Sequence, residues 1–343
     1  MKTRNLAFTV SRGFLLCLLL AVHATQAAEV NVYSARKEAL IKPMLDRYTE
    51  LTGVEVNLVT GKADALIKRL ELEGVNSPAD LLLTVDVGRL HRAKQLDLFS
   101  GIESNLLETV IPASYRDPEG YWYGLSIRSR VIVYSLQDVK PAQLSSYEAL
   151  ADEMWKGKLC VRSSSNIYNQ SLVSAMLAHL GEAKTESWAR GLVANFARPP
   201  KGGDRDQIKA VSVGQCSLAL VNSYYLAGMI NSKINAESKA AAQVGLFWPN
   251  QQDRGAHVNI SGAGVTRSSQ NKQEAIKLLE FLAGEEAQAW YAEHNHEFPV
   301  RSGVPVSQTL KQWGEFKADS LELSQLGEHN ANAVRLMDRA GWK

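Results

Sequence analysis

Residues 121–135 read YWYGLSIRSRVIVYS, and residues 257–265 read HVNISGAGV. Both are runs of β-type residues, and between them lies a block with its own alternation of strand-like and helix-like patterns. That block opens with KLCVRSS (158–164) and a helical pattern over 170–180. Strand-like runs follow at 217–222 and 243–248. Before it stands a second alternating series: EVNVY (29–33), a helical pattern over 38–51, VEVNLVT (54–60), a helix over 63–73, and ADLLLTV (79–85). The last is continuously apolar, as in a strand covered on both faces. Strand alternating with helix implies parallel sheets and α/β lobes. The spacing therefore predicts two α/β lobes joined by two crossing strands, with a cleft that can close on a ligand. A strong helix is expected over 272–282, and helical segments around 306–316 and 320–337.

The 343-residue chain begins with Lys2, Arg4 and Arg12, an apolar run from Phe14 to Val22, and small residues up to Ala28. These are the three parts of a secretory signal. The apolar run is short of the about 20 residues that span a membrane. Residues 1–27 are read as a signal peptide, cut after Ala27 or Ala28, and Cys17 leaves with it. The expected address is the periplasm, with no membrane insertion after cleavage.

Formal net charge is +2 for the whole chain, but residues 1–27 hold three basic and no acidic residues. The remainder carries 35 basic and 36 acidic residues. Such a balance gives no argument for nucleic acid binding, which needs a clustered basic surface. Cys160 and Cys216 remain, each in an apolar, strand-like stretch. An oxidising compartment permits a disulfide between them, and two buried thiols fit the sequence equally. About 315 residues exceed one usual core, in keeping with two lobes.

The chain holds no GxxxxGK[ST] loop, no GxSxG and no HExxH, so no enzyme class is indicated. Its seven histidines are scattered. His294 and His296 form a close pair, read as a solvated surface feature. Four of the eleven tyrosines stand where strands end: Tyr33, Tyr168 in a polar loop, and the adjacent Tyr224 and Tyr225. Ligands of doubly wound sheets sit outside the carboxyl ends of strands. Adjacent strand residues point to opposite faces. Tyr224 and Tyr225 can therefore share a ligand only if the chain turns at Ser223–Tyr225, as at a strand-to-helix junction; otherwise they pack a core edge. Phenol ionises near pH 10, so tyrosinate at neutral pH calls for a hard, highly charged cation such as Fe3+. Four phenolates on Fe3+ leave one negative charge, which Arg36, Arg128 or Arg130 can offset.

At these residues the chain resembles the periplasmic ferric-ion-binding proteins of bacterial iron(III) ABC transporters. The resemblance rests on VYSAR (32–36), PADLLLTVDVGRL (78–90), WYGLSIRSRVIVYS (122–135), GKLCVRSSSNIYNQSL (157–172), LALVNSYYL (218–226) and FPVRSGV (298–304). It implies a type II binding-protein fold. Lobe 1 would comprise residues 28–127 and 254–302, and lobe 2 residues 128–253 and 303–343 with C-terminal helices. It implies Tyr33, Tyr168, Tyr224 and Tyr225 as ligands of Fe3+, Arg128 beside the metal or a carbonate serving as synergistic anion, and Arg36 helping from lobe 1. Some branches of the family use a first-lobe histidine; here Ser34-Ala35-Arg36-Lys37 follows Tyr33 without one, which fits the tyrosine-rich branch. A further branch has no first-lobe ligand, which puts Tyr33 in question. The implied role is capture, with no catalysis, by a monomer that hands iron to a permease coupled to an ATPase. The competing reading keeps the fold and binds an oxyanion or small organic anion through Arg36, Arg128 and the hydroxyls of Ser163–Ser165.

Overall fold

The computed structural model describes residues 28–343; the signal peptide expected over 1–27 lies outside the described residues. Its organising element is the strand β4, Tyr123–Ser135, buried along all thirteen residues. Its first half, Tyr123–Ser129, pairs antiparallel with β8, Val258–Val265. Its second half pairs with β6, Leu218–Asn222, through Arg130–Tyr134, and with β7, Val244–Phe247, through Ile132–Ser135. One continuous strand thus belongs to two sheets. The others are β1 (Glu29–Ser34), β2 (Glu55–Thr60), β3 (Leu81–Val85) and β5 (Leu159–Cys160). The order is β2-β1-β3-β8-β4-β6-β5, with β7 on a side branch from β4. The pairs β1–β2, β1–β3 and β5–β6 are parallel, as strand–helix alternation requires.

Around the first sheet lie α1 (Lys42–Thr52), α2 (Ala63–Glu73), α3 (Val87–Gln95) and α4 (Asn105–Val110). Gly53, with φ +73°, ends α1 in the left-handed conformation that glycine adopts without strain. The second sheet is flanked by α5 (Ile167–Leu180), α6 (Glu182–Ala194), α7 (Asp204–Ser212), α8 (Ser223–Ile230) and α9 (Asn235–Ala241). The chain then returns through β8 to α10 (Lys272–Leu282) and α11 (Glu285–Trp290). It ends in α12 (Gln308–Gln312), α13 (Ser324–Glu328) and α14 (Asn330–Arg339). The long helix expected up to Met337 is broken into α13 and α14, and residues 313–323 are not helical.

The cores follow from strand alternation. Ile132 and Tyr134 of β4, with Leu218 and Leu220 of β6, face a core completed by α5, α6 and α14. Val131 and Val133, with Ala219 and Val221, face the opposite side, toward α7 and α8. The first sheet has its own core, holding Val30, Val32, Leu81 and Ile260. The result is the two-lobed α/β fold of type II. Crossing between lobes occurs within β4 and again just before β8, where the Arg130 amide donates to the His257 carbonyl. The C-terminal segment adds contacts between these parts: Ala318 bridges Ala256, and α13 packs on both α3 and α5. Cys160 and Cys216 form a disulfide with a Cα–Cα distance of 5.9 Å, tying β5 to the approach to β6.

Candidate metal centre

Tyr168 is the second residue of α5, and Tyr224 and Tyr225 are the second and third of α8. Tyr168 thus sits in a first helical turn, where a loop was expected. The turn required at Ser223–Tyr225 is present, because α8 starts at Ser223 directly after β6. In a first turn, successive side chains fan around the axis instead of alternating across a sheet. Both rings of the pair therefore reach one side, 4.3 Å apart between centroids. The Tyr224 hydroxyl donates to the Tyr168 hydroxyl over 3.4 Å. All three line a cavity of about 510 Å³ whose opposite wall is Ala35, Arg36, Lys37, His294, Asn295, His296 and Glu297. It is the cleft between the lobes.

The electrostatics favour anionic oxygen here. Unpaired amides at helix N-termini carry partial positive charge. The Arg128 guanidinium lies 5.2 Å from the Tyr168 ring centre and that of Arg162 5.7 Å. Arg128 is buried; its Nη1 donates to Ser261 Oγ over 3.2 Å, and its Nη2 stands 3.8 Å from Asp86 Oδ2. Its Nε and Nη2 have no hydrogen-bond partner among the described residues. Arg130 and Arg162 share the buried Asp204, at 2.6 and 2.5 Å, and Arg130 also donates to Asn169 Oδ1. Three buried or half-buried arginines against Asp86 and Asp204 leave a positive balance behind the tyrosines.

Burial pushes the Tyr224 hydroxyl well above the ordinary phenol range; the neighbouring Tyr168 and Tyr225 push the same way, and Arg128 opposes them. Tyr225 is raised for the same first reason, with Tyr168 and Asp204 adding to it. These two phenols are therefore neutral at pH 7, and ionise only when a cation replaces their protons.

Two expectations are corrected. Tyr33 does not face the cleft: its hydroxyl donates to Glu73 of α2 at 3.1 Å, and Arg69 covers its ring at 4.6 Å. The reason is that β1 runs on through Ser34, so Tyr33 is an interior strand residue pointing at α2, and the strand end that reaches the cavity is Ala35–Lys37. Arg36 does line the cavity, but its charge is spent on Glu297, 2.6 Å away, with Ser126 at 3.3 Å. His294 and His296, read as a surface pair, differ: His294 is exposed and His296 is half-buried in the cavity wall. Arg162 and Asp86 stood within the quoted stretches 157–172 and 78–90 without being singled out, whereas nothing in sequence flagged Asp204.

Two α/β lobes sharing a strand, with a cavity between them, define the architecture of a solute-binding protein. The chain belongs to the bacterial extracellular solute-binding protein family, whose pattern it matches over residues 76–319. It is similar to iron uptake protein A1 of Synechocystis, 47% identical over 315 residues, covering 92% of this chain and 88% of that one. It is also similar to the Fe(3+)-binding periplasmic protein of Serratia marcescens, 30% identical with 94% of each chain covered. Among solved structures, FutA (IdiA) of Trichodesmium in complex with iron and citrate ligands superposes with a TM-score of 0.90 at 49% identity, covering 92% of this chain and 100% of that one.

Proposed function

We propose that this protein captures Fe3+ in the interlobe cleft through tyrosinate ligands from Tyr168, Tyr224 and Tyr225, and delivers it to an inner-membrane ABC permease. The observation that carries this reading is three tyrosines on one cavity at two helix N-termini, the Tyr224 and Tyr168 hydroxyls in contact and the Tyr225 ring packed on Tyr224, beside an arginine with unpartnered donors. Phenolate is a hard anion suited to ferric iron. Three phenolates neutralise the ion. The free Nε and Nη2 of Arg128 then suit a small oxyanion bound beside the metal, with carbonate and a carboxylate such as citrate as the candidates. Relatives named for iron uptake and for periplasmic Fe(3+) binding support cargo and address alike. The lobes we assign are residues 28–127 with 254–302, and 128–253 with 303–343, the monomer opening and closing about β4 and the strand entry at His257.

Capture precedes closure in this scheme: iron meets the second-lobe tyrosines, and the first lobe then swings over it. Bridging both lobes supplies the differential affinity that closure requires. Ferric citrate added to metal-free protein is expected to raise a visible tyrosinate-to-iron charge-transfer band. Its absence refutes the reading. A second reading, an anion binder of the same fold, draws on the unpartnered Arg128 donors. It predicts tight anion binding without metal and indifference to Tyr→Phe changes.

A further inference from the structure

A metal held only by one lobe gives the other no reason to close, because a ligand shifts a conformational equilibrium only by binding one state better. The first-lobe wall of the cavity therefore has to offer something. Tyr33 is turned toward α2. Arg36 and Glu297 hold each other, and Glu297 also accepts from Ser126 at 2.7 Å. The Asn295 amide group donates to the Leu40 carbonyl. Lys37 is a cation and repels a metal ion. His294 stacks on Trp290 at 4.9 Å, with its Nδ1 on the Trp290 carbonyl. His296 is the imidazole of this wall with no protein hydrogen bond among the described residues.

His296 is placed with care by its surroundings. It follows a π-helical turn, Tyr291–Asn295, and takes φ +54° and ψ +35°, a left-handed conformation uncommon outside glycine. Such a conformation persists where neighbours over-determine it, and here both do. Asn295 is tied to Leu40, and Glu297 to Arg36. Its Nδ1 is buried without a hydrogen-bond partner among the described residues, and no protein hydrogen bond is made by Nε2. Imidazole nitrogen is a common metal ligand.

We propose that His296 is the first-lobe ligand: a neutral imidazole nitrogen that meets the iron as the cleft closes and completes a donor set of three tyrosinates and one imidazole. This rests on the tyrosinate reading. It also gives the charge balance a purpose. A neutral fourth ligand keeps the three-phenolate complex uncharged, so the Arg128 donors stay available to an added anion.

The test uses the mature protein and ferric citrate. The variants His296→Gly and His296→Asn both tolerate a positive φ, and His294→Ala tests the neighbouring imidazole of the same wall. Each is followed by the charge-transfer band, by iron affinity in competition with citrate, and by radius of gyration in solution scattering. Both His296 variants are expected to keep the band, to bind iron at least about tenfold more weakly, and to lose the contraction that wild type shows on loading. His294→Ala is expected to lose less affinity than either His296 variant and to keep the contraction. Electron–nuclear double resonance of iron-loaded wild type should show a histidine nitrogen coupling that His296→Gly lacks, a signature no packing role would move. Wild-type affinity and contraction in both His296 variants, their loss in His294→Ala instead, or no nitrogen coupling in wild type would each overturn the assignment. If wild type shows no band, the tyrosinate reading fails and takes this inference with it. A wild-type band with indifferent His296 variants overturns the inference alone.

Discussion

Tyr224 and Tyr225 are neighbours in sequence and in space only because the backbone changes from strand to helix one residue before them. Had β6 continued, one ring would face the second-lobe core and the other the opposite face. The three cleft tyrosines should therefore act as a set. Phe at 224 or 225 is expected to abolish or strongly bleach the iron band and to cost more than the about 10–100-fold affinity loss typical of an outer-shell change. Tyr33→Phe should leave the band unaltered, since it only removes the hydrogen bond to Glu73, worth about 1 kcal/mol of stability. Absorption titrations of the three variants side by side check both statements. Asp204 is the other decisive residue. Neutralising it as Asp204→Asn strands Arg130 and Arg162, both paired to it. A loss of about 3–5 kcal/mol is expected in urea unfolding.

At the scale of elements, what presents the tyrosines is a pair of strand–helix junctions, one after β5 and one after β6. The disulfide spans 56 residues between Cys160 in β5 and Cys216 just before β6, and so cross-links the two strands that lead to those junctions. In a chain-entropy account a loop of this length contributes about 4 kcal/mol. The double variant Cys160→Ala/Cys216→Ala is expected to lose stability of that order in denaturant unfolding while still giving the iron band. A band that vanished with a folded chain would show the cross-link to be needed for site geometry as well. Of these elements, the strands, α1, α2 and α10 were legible from periodicity. The N-terminal extension of α5 to Tyr168 and the break between α13 and α14 were not. Helix ends depend on local capping and tertiary contacts that a periodic pattern does not encode.

For the whole molecule, loading and pH are coupled. In the proposed scheme iron displaces the phenol protons of three tyrosines, two of them held above their usual range by burial. Binding then releases about three protons, and apparent affinity should fall by about three log units per pH unit on acidification. Potentiometric proton release during iron titration measures this directly. Stability has its own acid limb. His257 is buried and held down to about 3, first by desolvation and then by Arg130, Arg128 and Arg254. The unfolded chain takes up its proton near pH 6.5 and the folded one does not until about 3. The folded state therefore loses stability as pH drops from about 6.5 toward 3, at up to about 1.4 kcal/mol per pH unit, with no effect above that window. Melting temperatures of metal-free protein from pH 8 to pH 4, compared with His257→Gln, are expected to show a shallower acid limb in the variant.

By itself the sequence determined the two-lobed α/β class, because strand–helix alternation and the two flanking extended runs are local patterns read directly from side-chain periodicity. It also determined which tyrosines could share a ligand, through the YY pair after a strand and the IYNQS stretch. Only the tertiary structure set Tyr33 against Glu73 and Arg69 of α2 and left it out of the cavity lining. Only it joined Asp204 to Arg130 and Arg162, closed the Cys160–Cys216 disulfide, and set His296 opposite the tyrosines. These are contacts between residues far apart in the chain, and the order in which strands pair decides them.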